Sequence, residues 1–134
     1  MCLFLLFSVS FNFYSEEYEK NLRIKLEQKK NFLVIEYINL SDDDIYVPDY
    51  YICNNVSFIN DYFEVIDEQG RKIEYTGIIG DFGIYEMYVK IKKGSSIKSL
   101  ISLEEFYAVQ KNSKYEVRYN FSGMQSDAVT FYYK

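Results

Sequence analysis

FEVIDEQGRKIEYTGIIGDFGIYEMYVKIKKGSSIKSLISLEEFYAVQKNSKYEVRY, residues 63–119, decides the fold. Residues 62–67 form a short strand-like run. Glu68-Gln69-Gly70-Arg71 reads as a hairpin turn, with Gly70 suited to a positive φ. Residues 72–76 read as the return strand, with Ile73 and Tyr75 on one face. A further strand spans 85–92, with Tyr88 and Ile91 on its core side. The turn Lys92-Lys93-Gly94-Ser95-Ser96 follows, and then an alternating strand over 97–103. Ser102 and Glu105 have capping-box spacing, which predicts a brief helical turn between 103 and 109. Residues 115–121 alternate strictly. Tyr115, Val117, Tyr119 and Phe121 face inward, and Glu116 and Arg118 face out.

The same period of two extends toward the N-terminus. Leu22, Ile24 and Leu26 alternate with Arg23, Lys25 and Glu27, predicting a strand over 21–28. Residues 32–40 carry apolar side chains on both faces, as a central strand does. Ile45-Tyr46-Val47 begins a short strand that Pro48, the only proline, stops. Beyond Ser122-Gly123 a last strand spans 128–133. Eight or nine short strands with turns every 10–15 residues predict an all-β fold, an immunoglobulin-like antiparallel β-sandwich of about 7–9 strands. The whole of 16–134 fits one such domain.

Residues 1–15 begin with the apolar run MCLFLLFSVSFNFY. It is shorter than the roughly 20 residues a membrane-spanning helix needs. It reads as a truncated leader of the secretory type, with Ser8, Ser10 and Ser15 as small residues near a cleavage point, although no Lys or Arg precedes it. Export to the periplasm or cell envelope follows from that reading.

Composition removes several function classes. With no histidine, the chain lacks Ser-His and Cys-His pairs, imidazole bases and His-based zinc motifs. A net charge of −5 argues against a nucleic-acid surface. Cys2 falls in the leader, and Cys53 reads as a buried thiol. Neither a metal nor a cofactor is indicated. The Asp42-Asp43-Asp44 run lacks the glycine and distal glutamate of a calcium loop and reads as a solvated turn. Gly77, Gly80 and Gly83 surround Asp81-Phe82 without the Lys-Ser/Thr of a phosphate loop. Asp61, Asp81 and Glu86 are the carboxylates that a hydrolase reading would need to bring together. Tyr46, Tyr50 and Tyr51 cluster around Pro48. They are the candidate interaction surface, because a large rigid ring costs little entropy to order; the competing reading packs them over the end of the core.

The order of features resembles the immunoglobulin-like sandwich that precedes the catalytic domain of bacterial peptidyl-Lys metalloendopeptidases of the deuterolysin type. The residues that carry the resemblance are Tyr75 and Gly77 (Tyr-x-Gly), Leu103 and Tyr107 (Leu-x-x-x-Tyr), and Tyr115, Val117 and Tyr119 (Tyr-x-Val-x-Tyr). The family's zinc protease domain has no counterpart here, and the basic segment after Tyr-x-Gly is replaced by Ile78-Ile79-Gly80-Asp81-Phe82. The resemblance implies a fold and an exported setting and carries no active site across.

The expected function is therefore a non-enzymatic, exported protein-binding module whose partner is a protein, with a protease as the candidate. The alternative is a peptidase inhibitor or prodomain-like partner acting in trans, through residues 77–83 or 49–60.

Overall fold

A computed structural model describes residues 20–53, 60–78 and 87–134. The leader reading lies outside those residues. So do Asp81 and Glu86, and residues 79–83 and 54–59 of the two candidate inhibitor segments. Among the described residues no helix is long and apolar enough to cross a membrane.

The fold is all-β, and every strand pairing is antiparallel. Strand β1 (Leu22–Lys29) pairs with β2 (Phe32–Asn39), and β2 with β6 (Ser96–Ile101). A second sheet centres on β7 (Ser113–Phe121). On one side β7 meets β4 (Phe63–Asp67); on the other it meets β8 (Met124–Gln125) and β9 (Val129–Tyr133). Strands β3 (Ile45–Pro48) and β5 (Tyr88–Ile91) form a separate two-stranded ribbon.

That ribbon is the bent continuation of β2 and β6. Ile38 faces Ser96 and Ile45 faces Ile91, so the six residues 39–44 lie across from the four residues 92–95. The two extra residues form a bulge, which bends the pair and increases its twist. Asn39 holds the bend. It is 1% exposed, and its amide nitrogen donates to the carbonyls of Asp43 (2.8 Å) and Ile91 (2.9 Å). Its amide oxygen accepts from the Ser41 backbone N–H and hydroxyl. Asp44 adds to the bend: its carboxylate accepts the Lys93 N–H at 2.8 Å and pairs with Lys90 at 3.4 Å. The aspartate run is thus a turn with one working carboxylate, while Asp42 and Asp43 lie exposed.

Alternation predicts burial well. Leu22, Ile24 and Leu26 of β1, Leu33, Ile35 and Tyr37 of β2, and Tyr115, Val117 and Tyr119 of β7 are all buried. The inward faces of the two larger sheets share one cluster, giving a sandwich-like arrangement. Tyr37 of β2 meets Tyr119 of β7 edge-on, with ring centroids 5.8 Å apart.

Three expectations need correction. Residues 72–76 are not a return strand. The chain turns at Gly70 (φ 78°) and makes one bridge, Lys72 to Ile66, before it leaves β4. Tyr75 then pairs with Tyr107, so this segment crosses from the edge of β4 to the connection before β7. Second, Tyr88 is 52% exposed, whereas Ile91 is buried. Residues three apart on a strand lie on opposite faces, so the two cannot share a core side. Third, the strand expected over 97–103 stops at Ile101; Leu103–Glu105 form the anticipated helical turn, of 3-10 type. The Ser102 side chain makes no capping bond there.

The paired motif residues have a packing explanation. Tyr75 folds over Gly77 and donates to the Ile78 carbonyl at 2.7 Å. A Cβ on Gly77 would overlap the Tyr75 ring.

Asn39→Ala is expected to lower stability by roughly 2–3 kcal/mol, because it strands buried backbone groups at the bend. The urea midpoint should fall while the slope of the transition stays unchanged. A change under 0.5 kcal/mol, the ordinary range for neutral surface substitutions, would show that the bend holds without it.

Candidate functional site

The described residues offer two kinds of place for function: polar hollows and an aromatic surface. One hollow, about 540 Å³, is lined by Asp67, Glu68, Arg71, Lys72, Glu74 and Lys114 among others. Two of its three acidic groups are already occupied. Asp67 accepts the backbone N–H groups of Gln69 (3.0 Å) and Arg71 (2.9 Å) and the Arg71 guanidinium (3.0 Å). The Arg71 backbone N–H, foremost among these contacts, holds the Asp67 carboxyl below its ordinary pKa. Glu68 accepts the Lys114 N–H at 3.3 Å. A general acid needs a carboxyl raised toward neutrality. Asp67 is moved the other way, and so is Asp44, chiefly by the Lys93 N–H. The hollow reads as the concave side of the Gly70 turn.

Of the three carboxylates a hydrolase would need to gather, only Asp61 is described. It accepts the Tyr107 hydroxyl at 2.6 Å, and that oxygen in turn accepts the Phe63 N–H at 3.0 Å. Asp61 therefore serves the start of β4. No group of three or more His, Cys, Asp or Glu side chains is placed to hold a metal ion among the described residues.

The tyrosines named from sequence separate. Tyr46 points away from its buried neighbours Ile45 and Val47 and is 55% exposed. Tyr50 and Tyr51 sit in the 3-10 turn Asp49–Tyr51, half-buried, with rings 4.8 Å apart. Tyr51 packs edge-on against Phe121 at 5.8 Å, and its hydroxyl accepts from Ser122 at 3.1 Å. Tyr46 instead shares the outer face of the β3–β5 ribbon with Tyr88, in diagonal register, because Tyr46 faces Lys90 and Pro48 faces Tyr88. Met87, 66% exposed, adjoins Tyr88 and accepts the Asp49 N–H through its carbonyl. Sequence reasoning missed Tyr88 and Met87 as surface. The signal was available: Val89 and Ile91 are the apolar alternation, which leaves Tyr88 and Lys90 outside.

Behind this face lies a buried polar network. The Cys53 N–H donates to the Tyr37 hydroxyl at 2.8 Å. Tyr119 donates to the Tyr51 carbonyl at 2.6 Å, and Tyr62 to the Tyr50 carbonyl at 2.6 Å. Burial pushes the phenols of Tyr37, Tyr62, Tyr107 and Tyr119 well above their ordinary pKa and does the same to the Cys53 thiol. Cys53 is fully buried and unpaired by disulfide. A nucleophilic thiol needs the opposite, a lowered pKa and exposure.

No protein-family model matches the chain, and no curated protein matches it in sequence.

These buried groups are neutral in the native state, and their folded pKa values lie above the unfolded ones. Their contribution is fully present below the unfolded pKa values, about 8.5 for the thiol and about 10 for the phenols. It is lost as pH rises above those values. Stability should hold through neutral pH and fall from about pH 8.5 upward. In an alkaline titration, much of the tyrosinate absorbance should appear in one step together with loss of the fold. Smooth, complete ionisation of every tyrosine near pH 10 with the fold intact would contradict this.

Proposed function

We propose that this chain is a non-enzymatic protein-binding module that works in the cell envelope or periplasm, and that it engages a protein partner through the outer face of the β3–β5 ribbon. One observation carries the reading. Tyr46 and Tyr88 stand 55% and 52% exposed on one short ribbon, with Met87, 66% exposed, just ahead of β5, while the other large aromatic side chains of the sheets are mostly drawn inward. Tyr and Met are the side chains that enrich protein interfaces, and adjoining exposed apolar groups are uncommon without a use. The neighbouring Lys90–Asp44 pair supplies a polar rim.

The immunoglobulin-like reading has two further supports. The strand order β1-β2-β6 in one sheet and β4-β7-β9 in the other follows the A-B-E and C-F-G order of that fold. Tyr115, near the start of β7, accepts the Gln110 N–H through its hydroxyl at 2.6 Å, in the manner of the tyrosine corner before the F strand. The likeness to the domain preceding peptidyl-Lys metalloendopeptidases rests on the same strands, and it makes a protease a natural partner to test. Fold alone does not assign the partner.

The test is site-specific photocrosslinking. A benzophenone side chain at position 46 or 88 should give a discrete adduct with an envelope extract, and one at Glu116, exposed on β7, should not. Adducts of the same pattern from all three positions, or none from 46 and 88, would overturn the reading. The inhibitor alternative is tested with a panel of serine and metalloproteases, and undiminished activity throughout removes it.

A further inference from the structure

The sheets end in several edges, and two of them are covered. The outer edge of β9 is closed by side chains. Gln28 donates its amide to the Tyr132 carbonyl at 2.6 Å and accepts the Tyr132 N–H at 3.0 Å. Asn31 does the same for Lys134, at 2.8 and 3.1 Å. Two side-chain amides thus stand in for a neighbouring strand, and the Gln28 clamp joins β1 to β9. The outer edge of β4 is covered by residues 71–73: Asp67 N–H donates to Arg71, and Ile73 N–H donates to Val65.

The edge of β6 differs. Asn39 N–H donates to the Ser95 carbonyl, which fixes the phase of the ladder. In an antiparallel pair, alternate residues turn their backbone groups toward the partner. Residues 95, 97, 99 and 101 therefore bond to β2, and the N–H and C=O groups of Ser96, Lys98 and Leu100 point outward. Among the described residues they have no backbone partner. The reason lies in the bend: β5 pairs with β3 and leaves the flank of β6 uncovered. The strand is six residues long, about 20 Å at 3.3 Å per residue. It reads SIKSLI, without proline, with Leu100 48% exposed and Ile97 half-buried at its rim.

We propose that this edge receives an extended acidic segment of a partner protein, which adds a strand to the β1-β2-β6 sheet. Main-chain hydrogen bonds supply affinity in such additions, and alternate side chains supply selectivity. Charge selects the occupant. Between positions 90 and 100 the chain has four lysines and no acidic residue, although its net charge is −5. Lys90 is met by Asp44 and Lys98 lies 3.9 Å from Glu36, while Lys92 and Lys93 stand exposed at the head of the strand. A second copy of β6 is disfavoured. The two-fold pairing that engages all three outward residues sets Lys98 opposite Lys98, and like charges directly opposite are destabilising. An edge lysine blocks self-association and still accepts a carboxylate. This surface is separate from the tyrosine face.

The test uses two capped hexapeptides labelled for fluorescence anisotropy, one alternating valine with glutamate and the other valine with lysine. The full chain should bind the glutamate peptide and not the lysine peptide, and should sediment as a monomer. Leu100→Pro removes an outward N–H without touching the ladder to β2, a placement that edge strands tolerate. It should weaken binding by at least about tenfold, with protected amides in β2 as the check on folding. Lys98→Glu should reverse the preference between the peptides. Tyr46→Ala with Tyr88→Ala should leave peptide binding unchanged, so failure of the tyrosine-face reading and failure of this one are distinguishable. Equal binding by native chain and Leu100→Pro, equal affinity for both peptides, no binding of either at millimolar concentration, or dimerisation through β6 would each overturn the proposal.

Discussion

A buried phenol must find a hydrogen-bond partner, and this requirement organises the molecule. Tyr37, Tyr62, Tyr107 and Tyr119 are among its largest fully buried side chains. An unpaired hydroxyl in such a place costs about 1–3 kcal/mol. Here the partners are largely backbone groups of irregular segments. Tyr62 and Tyr119 take the carbonyls of Tyr50 and Tyr51, and Tyr37 takes the Cys53 N–H. The 49–53 crossing from the ribbon is thus fixed by hydroxyls from β2, from β7 and from the residue that leads into β4. Tyr107 fixes the entry to β4 in the same way, through Asp61 and Phe63. Rings fill the space between sheets, and hydroxyl tips join sheets to connections.

This explains which parts of the fold were legible in the sequence. Period-two alternation in 22–29 and 113–121 reports burial directly, because one face of each strand meets the core, whereas 32–39 is apolar on both faces and its buried set is decided by packing. The same alternation cannot report where a segment changes partners. Residues 72–76 look like a strand but divide between Ile66 and Tyr107, a choice made by the ring of Tyr75 closing over Gly77. The bend at Asn39 was equally hidden, because an asparagine before an aspartate run looks like an ordinary turn. Of the candidate surface, Tyr46 was legible and lies outside as its alternation requires. Tyr88 was assigned to the wrong face through a parity slip. Tyr50 and Tyr51 sit together at the end of the core, which composition could not have distinguished from exposure.

The bend also separates two surfaces. By carrying β3 and β5 away from β2 and β6, it sets Tyr46 and Tyr88 on a ribbon of their own and uncovers the flank of β6. Gln28 and Asn31 close the β9 edge at the opposite side of the molecule. Side-chain amides cover the edge of β9 and residues 71–73 that of β4, while the flank of β6 stays bare with a lysine at its middle.

The role of the buried phenols is most directly tested by a double-mutant cycle on Tyr37→Phe and Tyr119→Phe, read by urea unfolding. Each change removes one oxygen and little volume. Because the two rings meet edge-on and their hydroxyls hold Cys53 and Tyr51 on the same crossing, their effects should be non-additive by about 1 kcal/mol. Additivity within about 0.3 kcal/mol would mean that the hydroxyls act independently and that the sheets are joined by ring packing alone.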